Sequence, residues 1–396
     1  PVRPSLVVIF LSLLLGLQPV TTDLYLPALP GMRSDFAASM GQAQLTLTAL
    51  LLAFGLSQLV WGPLSDRFGR RPILLVGMGL YVLSSIACTM ASSMDTLILW
   101  RTLQGVAMGA GVVCARALLR DLYQPVEGAQ VMSKGLTGLG VIACASAPLG
   151  GLLSGWFGWR LALLALAVFG GITLGLLAWR FEETLAKRNP YALKFGDLAR
   201  TWWKVARHPT FVAYSALASA SYGGLFTFLA ASSFVFIQVF GYSTTRYGLA
   251  MFSMSFAYIV GTFWCRYLVP RIGVKSAISL ASYLSLGSVI LMVALAYAGV
   301  GQSWYGGWAI LVPVYIFMLG HGVHQPCSQS GAVGPFPQTA GAASALNGFL
   351  MMVSAFAMGA WLGKNLDGTV FALVHGMAFW GVCIALTGWT LVKRHG

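Results

Sequence analysis

Apolar residues run through this chain in blocks of about twenty, separated by short polar stretches. A helix rises about 1.5 Å per residue, so roughly 20 apolar residues cross a hydrocarbon layer about 30 Å thick. Twelve such spans are predicted, near residues 5–27, 43–64, 73–92, 96–118, 133–154, 159–180, 210–238, 244–267, 276–298, 305–326, 339–362 and 368–392. The first runs into Thr22, Asp23 and Pro27 with no small-residue cleavage site, so it reads as a retained helix and not a signal peptide. One long polar stretch, Phe181 to Arg207, interrupts the series after the sixth block and carries Glu182, Glu183, Lys187, Arg188, Lys194, Asp197, Arg200 and Lys204. The pattern predicts an all-α membrane protein: an N-terminal six-helix bundle over 1–180, a central loop over 181–207, and a C-terminal six-helix bundle over 208–396.

A partial repeat supports two related halves. Arg67-Phe68-Gly69-Arg70-Arg71 follows span 2, and Arg271-Ile272-Gly273-Val274-Lys275 follows span 8. Two six-helix halves related by an axis along the membrane normal form a recurring transporter plan, with a central site between them. The echo is asymmetric, because Thr227 and Tyr305 stand at the positions equivalent to Asp23 and Arg101. The ionic chemistry is therefore expected in the N-terminal half. Aromatic and neutral polar surface is expected in the other: Tyr222 and Phe226, then Tyr315, Met318, His321 and His324.

Composition agrees with a membrane setting. Hydrophobic residues make up 58% and charged residues only 9%, against about 25% charged in a soluble domain. The net charge of +14 raises nucleic acid as a partner, but its placement argues against that. With both termini in the cytoplasm, all of the 24 Lys and Arg except Arg33, Arg101, Arg160, Arg246 and Lys364 fall at the cytoplasmic side, which is the positive-inside bias. The six cysteines are scattered singly without metal-ligand spacing.

Asp23 is the one acid inside an apolar block. A carboxylate at the centre of a membrane helix costs about 2.5–3.5 kcal/mol, so it needs a partner or a task. Arg101, near the outer start of span 4, is at similar depth, and an Asp23–Arg101 pair is expected. Such a pair could serve proton coupling or only fix packing; coupling is the favoured reading. Tyr25, Gln44, Gln104, Met108, Tyr222, Phe226, Tyr315, Met318, His321 and Asn347 are candidate lining of a substrate cavity. His321 and His324 share a helix face, where hydrogen-bonded structure is the commoner role for histidine than titration.

Gly62-Pro63-Leu64-Ser65-Asp66-Arg67-Phe68-Gly69-Arg70-Arg71-Pro72, between spans 2 and 3, resembles the first signature of the major facilitator superfamily. Asp66 there can lie against a helix N-terminus, where the dipole favours an anion; the start of span 11 is the expected seat, latching the two halves. Arg101, Gln104 and Gly105 resemble a second superfamily motif. Gly138, Gly140 and Ala147-Pro148-Leu149-Gly150-Gly151 in span 5 resemble the motif of its antiporters, with Ala147 where glycine is usual. The bland reading of that motif is ordinary small-residue helix packing. Thr21-Thr22-Asp23-Leu24-Tyr25-Leu26-Pro27 with Gln44-Leu45-Thr46 and Ala115-Arg116-Ala117-Leu118-Leu119-Arg120-Asp121 is similar to the Bcr/CflA group of bicyclomycin and chloramphenicol resistance proteins. Arg116, Arg120 and Asp121 could join Asp66 and Arg70 in a charge cluster or simply end a helix at the interface.

The resemblance implies proton-driven efflux of a small drug or metabolite across a bacterial inner membrane, with Asp23 and Arg101 matching the group's span 1 acid and span 4 arginine. The proton is the coupling ion and no cofactor is called for; a monomer in the lipid bilayer is expected. The alternative keeps the fold and reverses the task, as a proton-coupled importer or facilitator of a metabolite. An enzyme is disfavoured, since no phosphate-binding loop, HExxH or His/Cys/carboxylate cluster occurs.

Overall fold

A computed structural model describes residues 4–123, 125–185, 188, 192–299, 306–337 and 339–396. Lys187 and Tyr305, named above, lie outside them. The described chain is helical throughout, with no strand. Inside a bilayer every backbone N–H and C=O must be satisfied within its own segment, which leaves the helix as the form for an apolar block.

Among the described residues twelve spans are long and apolar enough to cross a membrane: Pro4–Asp35, Met40–Phe68, Arg70–Thr89, Met94–Leu122, Lys134–Phe157, Trp159–Arg180, Pro209–Val239, Thr244–Ile272, Val274–Tyr297, Gly307–Val333, Ala340–Asn365 and Phe371–His395. They alternate in direction, so both termini and the Asp66–Arg71 segment share one end of the molecule, here the terminal end. Spans 2, 4 and 8 leave the far end under serine caps. Ser39 accepts from Gln42 N at 3.1 Å, Ser93 from Thr96 N at 3.2 Å, and Ser243 from Arg246 N at 3.1 Å, each filling one of the unpaired donors of a first helical turn. At the terminal end, single glycines divide spans 2 and 3 and spans 8 and 9. Gly69 and Gly273 have φ of 107° and 79°, backbone values that glycine alone adopts without steric cost. The repeated R-x-G pattern is thus a repeated hinge.

Spans 1 to 6 and spans 7 to 12 form two bundles. Span 1 packs on span 5, and span 4 lies between spans 2 and 3; in the other half, span 10 is packed by spans 7, 8 and 9. The halves meet along two seams, span 2 on span 11 and span 5 on span 8. Among its described residues the long polar stretch between spans 6 and 7 contains one further helix, Phe195–Ala206, which touches spans 7 and 11.

Candidate functional site

Span 1 is not one helix. Its α-helix ends at Asp23, and after a turn at Leu24 and Tyr25 come a single 3-10 turn (Leu26–Ala28) and a short helix (Leu29–Asp35). Pro27 has no N–H to give the carbonyl of Asp23, four residues back, so the ladder stops there. Asp23 stays partly exposed while Thr21, Thr22, Leu24 and Tyr25 around it are buried. The Thr22 hydroxyl donates to Asp23 Oδ1 at 2.9 Å, and also reaches the Gln18 carbonyl at 3.0 Å. Gln18 in turn donates to the Tyr222 hydroxyl across the seam at 3.0 Å. Tyr222 and Tyr247 of the opposite half and Cys144 of span 5 all lie within reach of the Asp23 charge, so the carboxylate sits where the two halves meet.

The expected ion pair with Arg101 is not formed. Among the described residues no cation lies within ion-pair distance of Asp23. Arg101, fully buried, is instead held by neutral groups: Nη2 donates to the Thr21 carbonyl at 3.2 Å, Nε to the Thr46 carbonyl at 3.3 Å, and Nη1 to Gln104 Oε1 at 2.7 Å. Its guanidinium lies 4.0 Å from the Tyr25 ring centroid. Gln104 passes the network to Ser85 at 2.6 Å, and Thr21 to Tyr81 at 2.7 Å. The reason is angular. The Thr21 side chain is turned to Tyr81 inside the bundle, and Asp23, two residues further along the same helix, points about 200° away. Arg101 therefore clamps spans 1, 2 and 4 around the break, and Asp23 is left to the seam.

The glycines of span 5 bring backbone against backbone at this level. A Cβ on Gly150 would lie 2.7 Å from the Leu24 carbonyl carbon, and one on Gly151 would lie 3.1 Å from the carbonyl carbon of Thr244 in span 8. The Thr244 hydroxyl donates to the Gly151 carbonyl at 2.9 Å, and Gly248 is set against Ala147 and Pro148. Gly140 faces open space. On the other seam Gly41 meets Gly363 and Thr48 meets Gly359, and beside it Gln44 Nε2 of span 2 donates to the Ala230 carbonyl of span 7 at 2.8 Å. These contacts close the far end.

The remaining cavity candidates divide differently from expectation. Tyr25 and Gln104 are inside the Arg101 network, and Met108 is fully buried in the N-terminal half. Tyr315 pairs with Ser253 at 2.7 Å, and His321 with Ser221 at 2.8 Å, both within the C-terminal half, where Met318 is also buried. His324 rests against Ser282 at 3.3 Å. Gln44 and Tyr222 cross the seam, Phe226 backs Gly359, and Gln44 Oε1 and Asn347 Oδ1 are buried without a partner among the described residues. Gln18 and Tyr247 were not anticipated. The signal for Gln18 was its place one turn before Thr22.

At the terminal end Arg70, buried, pairs with Asp66 at 2.7 Å and with Asp121 at 2.9 Å, and donates to Ser65 Oγ at 2.6 Å; Arg120 reaches Asp66 at 3.7 Å. Asp66 is thus engaged inside its own half and not on the start of span 11, because both of its arginines come from spans 3 and 4. Span 11 is met instead by Arg116, whose Nη1 donates to Ser344 Oγ at 2.9 Å. Arg67 stacks on Phe68, and Gly62 rests near Val113.

Glu183, treated by the sequence only as part of a polar loop, completes this cluster. Its carboxylate accepts from Arg70 N at 2.9 Å and Arg71 N at 3.2 Å, capping span 3, and sits where a Gly69 side chain would go. Arg71 returns two bonds to the Phe181 and Ala178 carbonyls, at 2.8 and 3.1 Å. Burial pushes the Glu183 carboxyl up, but backbone donors from Leu185, Arg70, Arg71 and Thr184 more than offset it and hold it below the usual carboxylate range. Its contribution is therefore complete above the ordinary glutamate value near 4.3 and fades as pH falls through the lowered one. Glu183→Gln is expected to lose roughly 0.5–1 kcal/mol at neutral pH. Thermal unfolding in detergent, at pH 7 and then in acid, checks this, and a difference that persists in acid would contradict the assignment.

The chain matches the Major Facilitator Superfamily over residues 11–360. It is 28% identical over 382 residues to the bicyclomycin resistance protein homolog of Haemophilus influenzae, covering 96% of this chain and 94% of that one. Multidrug resistance protein D of Escherichia coli is 29% identical over 393 residues, with 98% and 95% covered. Among solved structures, a D-xylose–proton symporter superposes with a TM-score of 0.74 at 16% identity, over 97% of each chain; at that identity the likeness concerns the fold.

Proposed function

This chain belongs to the Major Facilitator Superfamily, and from that premise we propose that it is a proton-coupled antiporter exporting small, partly apolar drugs or metabolites from a bacterial cell. The observation that carries the proposal is Asp23: a carboxylate at a helix break where the two halves meet, with no cation within ion-pair distance among the described residues. A charged group in that position changes the seam when it takes or loses a proton, and intramembrane acids commonly belong to proton relays. The drug-resistance names of the relatives support efflux over uptake.

In this reading the terminal end faces the cytoplasm, as the arginine and lysine bias favours, and the closed far end faces outward. Substrate enters from the cytoplasm as Asp23 gives up its proton there. The halves then rock about the central site, substrate leaves, and Asp23 is reprotonated from outside. Neutral Asp23 permits the return. Substrate and proton exclude one another at one carboxylate, which is sufficient to couple their fluxes. Arg101 acts as a positioning residue: its hold on the Thr21 carbonyl fixes the last turn of helix before Asp23. The protein works as a monomer with no cofactor.

The test uses everted membrane vesicles with an established inward proton gradient and a panel that includes bicyclomycin and chloramphenicol. An antiporter releases lumenal protons on addition of its substrates, and expressing cells accumulate less of them. An importer raises uptake of its substrate by cells. Absence of proton movement for every compound, with accumulation equal to that of control cells, would reject the reading.

A further inference from the structure

The helix Phe195–Ala206 between the two halves has no place in the transport cycle above, yet its faces are sharply divided. At about 100° per residue, Leu198, Thr201, Trp202 and Val205 share one side, and this side is packed: Val205 is buried and the other three are partly so, against spans 7 and 11. Arg200, Lys204 and Arg207 share the opposite side and are exposed. Trp203 stands at the border between them, 61% exposed, with the Arg207 guanidinium 4.5 Å from its ring centroid. Water is a poor environment for so large an apolar ring, whereas a headgroup layer accommodates both ring and cation.

The same pairing recurs around the terminal end. Arg180 stacks on Trp179 at 3.8 Å, Arg271 on Tyr267 at 3.6 Å, and Arg67 on Phe68 at 5.5 Å, and each ring is about half exposed or more. These rings close spans 6, 8 and 2, where a membrane-spanning helix emerges into the interface. They mark a belt, and Trp203 on the connecting helix repeats its chemistry. Asp197, held by Arg200 at 3.7 Å, is the one acid on the helix, so its outward face is basic.

We propose that the helix Phe195–Ala206 lies flat in the headgroup layer at the terminal end, with Trp203 at the acyl boundary and Arg200, Lys204 and Arg207 on the phosphates of anionic lipids. An amphipathic helix with basic residues beside a Trp is the form that binds such an interface. Because its inner side rests on span 11, the lipid layer holds the linker between the halves against a helix of the span 2–span 11 seam.

Hydrogen exchange of the peptides covering 195–207, measured on the full-length protein in nanodiscs, tests this. With phosphatidylglycerol present, exchange is expected to be about 100-fold slower at low salt than in pure phosphatidylcholine, the combined effect of three basic residues near an anionic surface. Arg200→Glu/Lys204→Glu/Arg207→Glu removes the difference while leaving thermal unfolding in detergent unchanged, since all three side chains are exposed. Trp203→Ser weakens protection in both lipids. Equal exchange of the native protein in both lipids would overturn the proposal. So would protection reproduced in phosphatidylcholine by soluble glycerol phosphate, which would mean a free phosphate site. Protection that survives the triple variant but is lost in Val205→Ser would mean that span 11 alone orders the helix, and would also overturn it.

Discussion

Asp23→Asn is expected to reduce drug-dependent proton movement in proteoliposomes to the level of empty vesicles, while the variant folds and inserts normally. Asn is nearly the same size as Asp and can keep the 2.9 Å contact to Thr22, so packing at the break is preserved. What it cannot do is alternate between charged and neutral forms. Exchanging a partly buried carboxylate for a neutral amide removes a desolvation cost, so thermal stability should be unchanged or higher by about 1 kcal/mol. Because no cation among the described residues pairs with Asp23, no buried charge is orphaned by the change; had Arg101 been its partner, the loss would have been about 3–5 kcal/mol. Asp23→Glu keeps the titrating group and is expected to retain coupled flux at a reduced rate. The two measurements together separate a proton site from a packing residue. If the Asn variant exchanges drug for protons at the native rate, the carboxylate is structural and coupling belongs elsewhere.

The second large effect is expected from one methyl group. Gly150→Ala places a Cβ 2.7 Å from the carbonyl carbon of Leu24 and 2.9 Å from its Cα. Those are backbone atoms of the break itself and cannot swing aside as a side chain would. Overpacking of this kind costs about 3 kcal/mol, and any relief shifts the segment that presents Asp23, so transport should fall with stability. Gly140→Ala, ten residues earlier in the same helix, meets nothing within 4 Å. There alanine's helix propensity should add up to about 1 kcal/mol. Thermal unfolding of the pair therefore separates motif from composition. Opposite signs support a close approach at Gly150, and equal effects would mean that the glycines serve only general flexibility.

Much of this architecture could be read from hydropathy, because a bilayer offers the backbone no partner but itself and so ties an apolar block to a helix of matching length. The ends were less legible. Span 3 begins at Arg70 and not near residue 73, since its first donors are satisfied by Glu183, more than a hundred positions away in sequence. Depth could also be read, and it set Asp23 and Arg101 at one level. Azimuth could not, because Pro27 ends the helix at Asp23 and the carbonyls of Thr21 and Thr46 already occupy the guanidinium. Two residues along span 1 make the difference between the interior of one bundle and the seam. The same limit applies to Tyr25 and Gln104, whose polarity suggested a cavity and whose direction commits them to Arg101.

The far-end seam has a consequence for how such a protein can diversify. Its closure depends on Gly41, Gly151, Gly248, Gly359 and Gly363, positions where the neighbour is main chain or a short Thr side chain. Gln18, Gln44 and Tyr222, which hydrogen-bond between the halves, are by contrast side chains whose shape can be exchanged without moving a helix. In the proposed antiporter, gate and recognition surface are thus written in different residues, so the range of compounds carried can change through the second set while the first stays fixed.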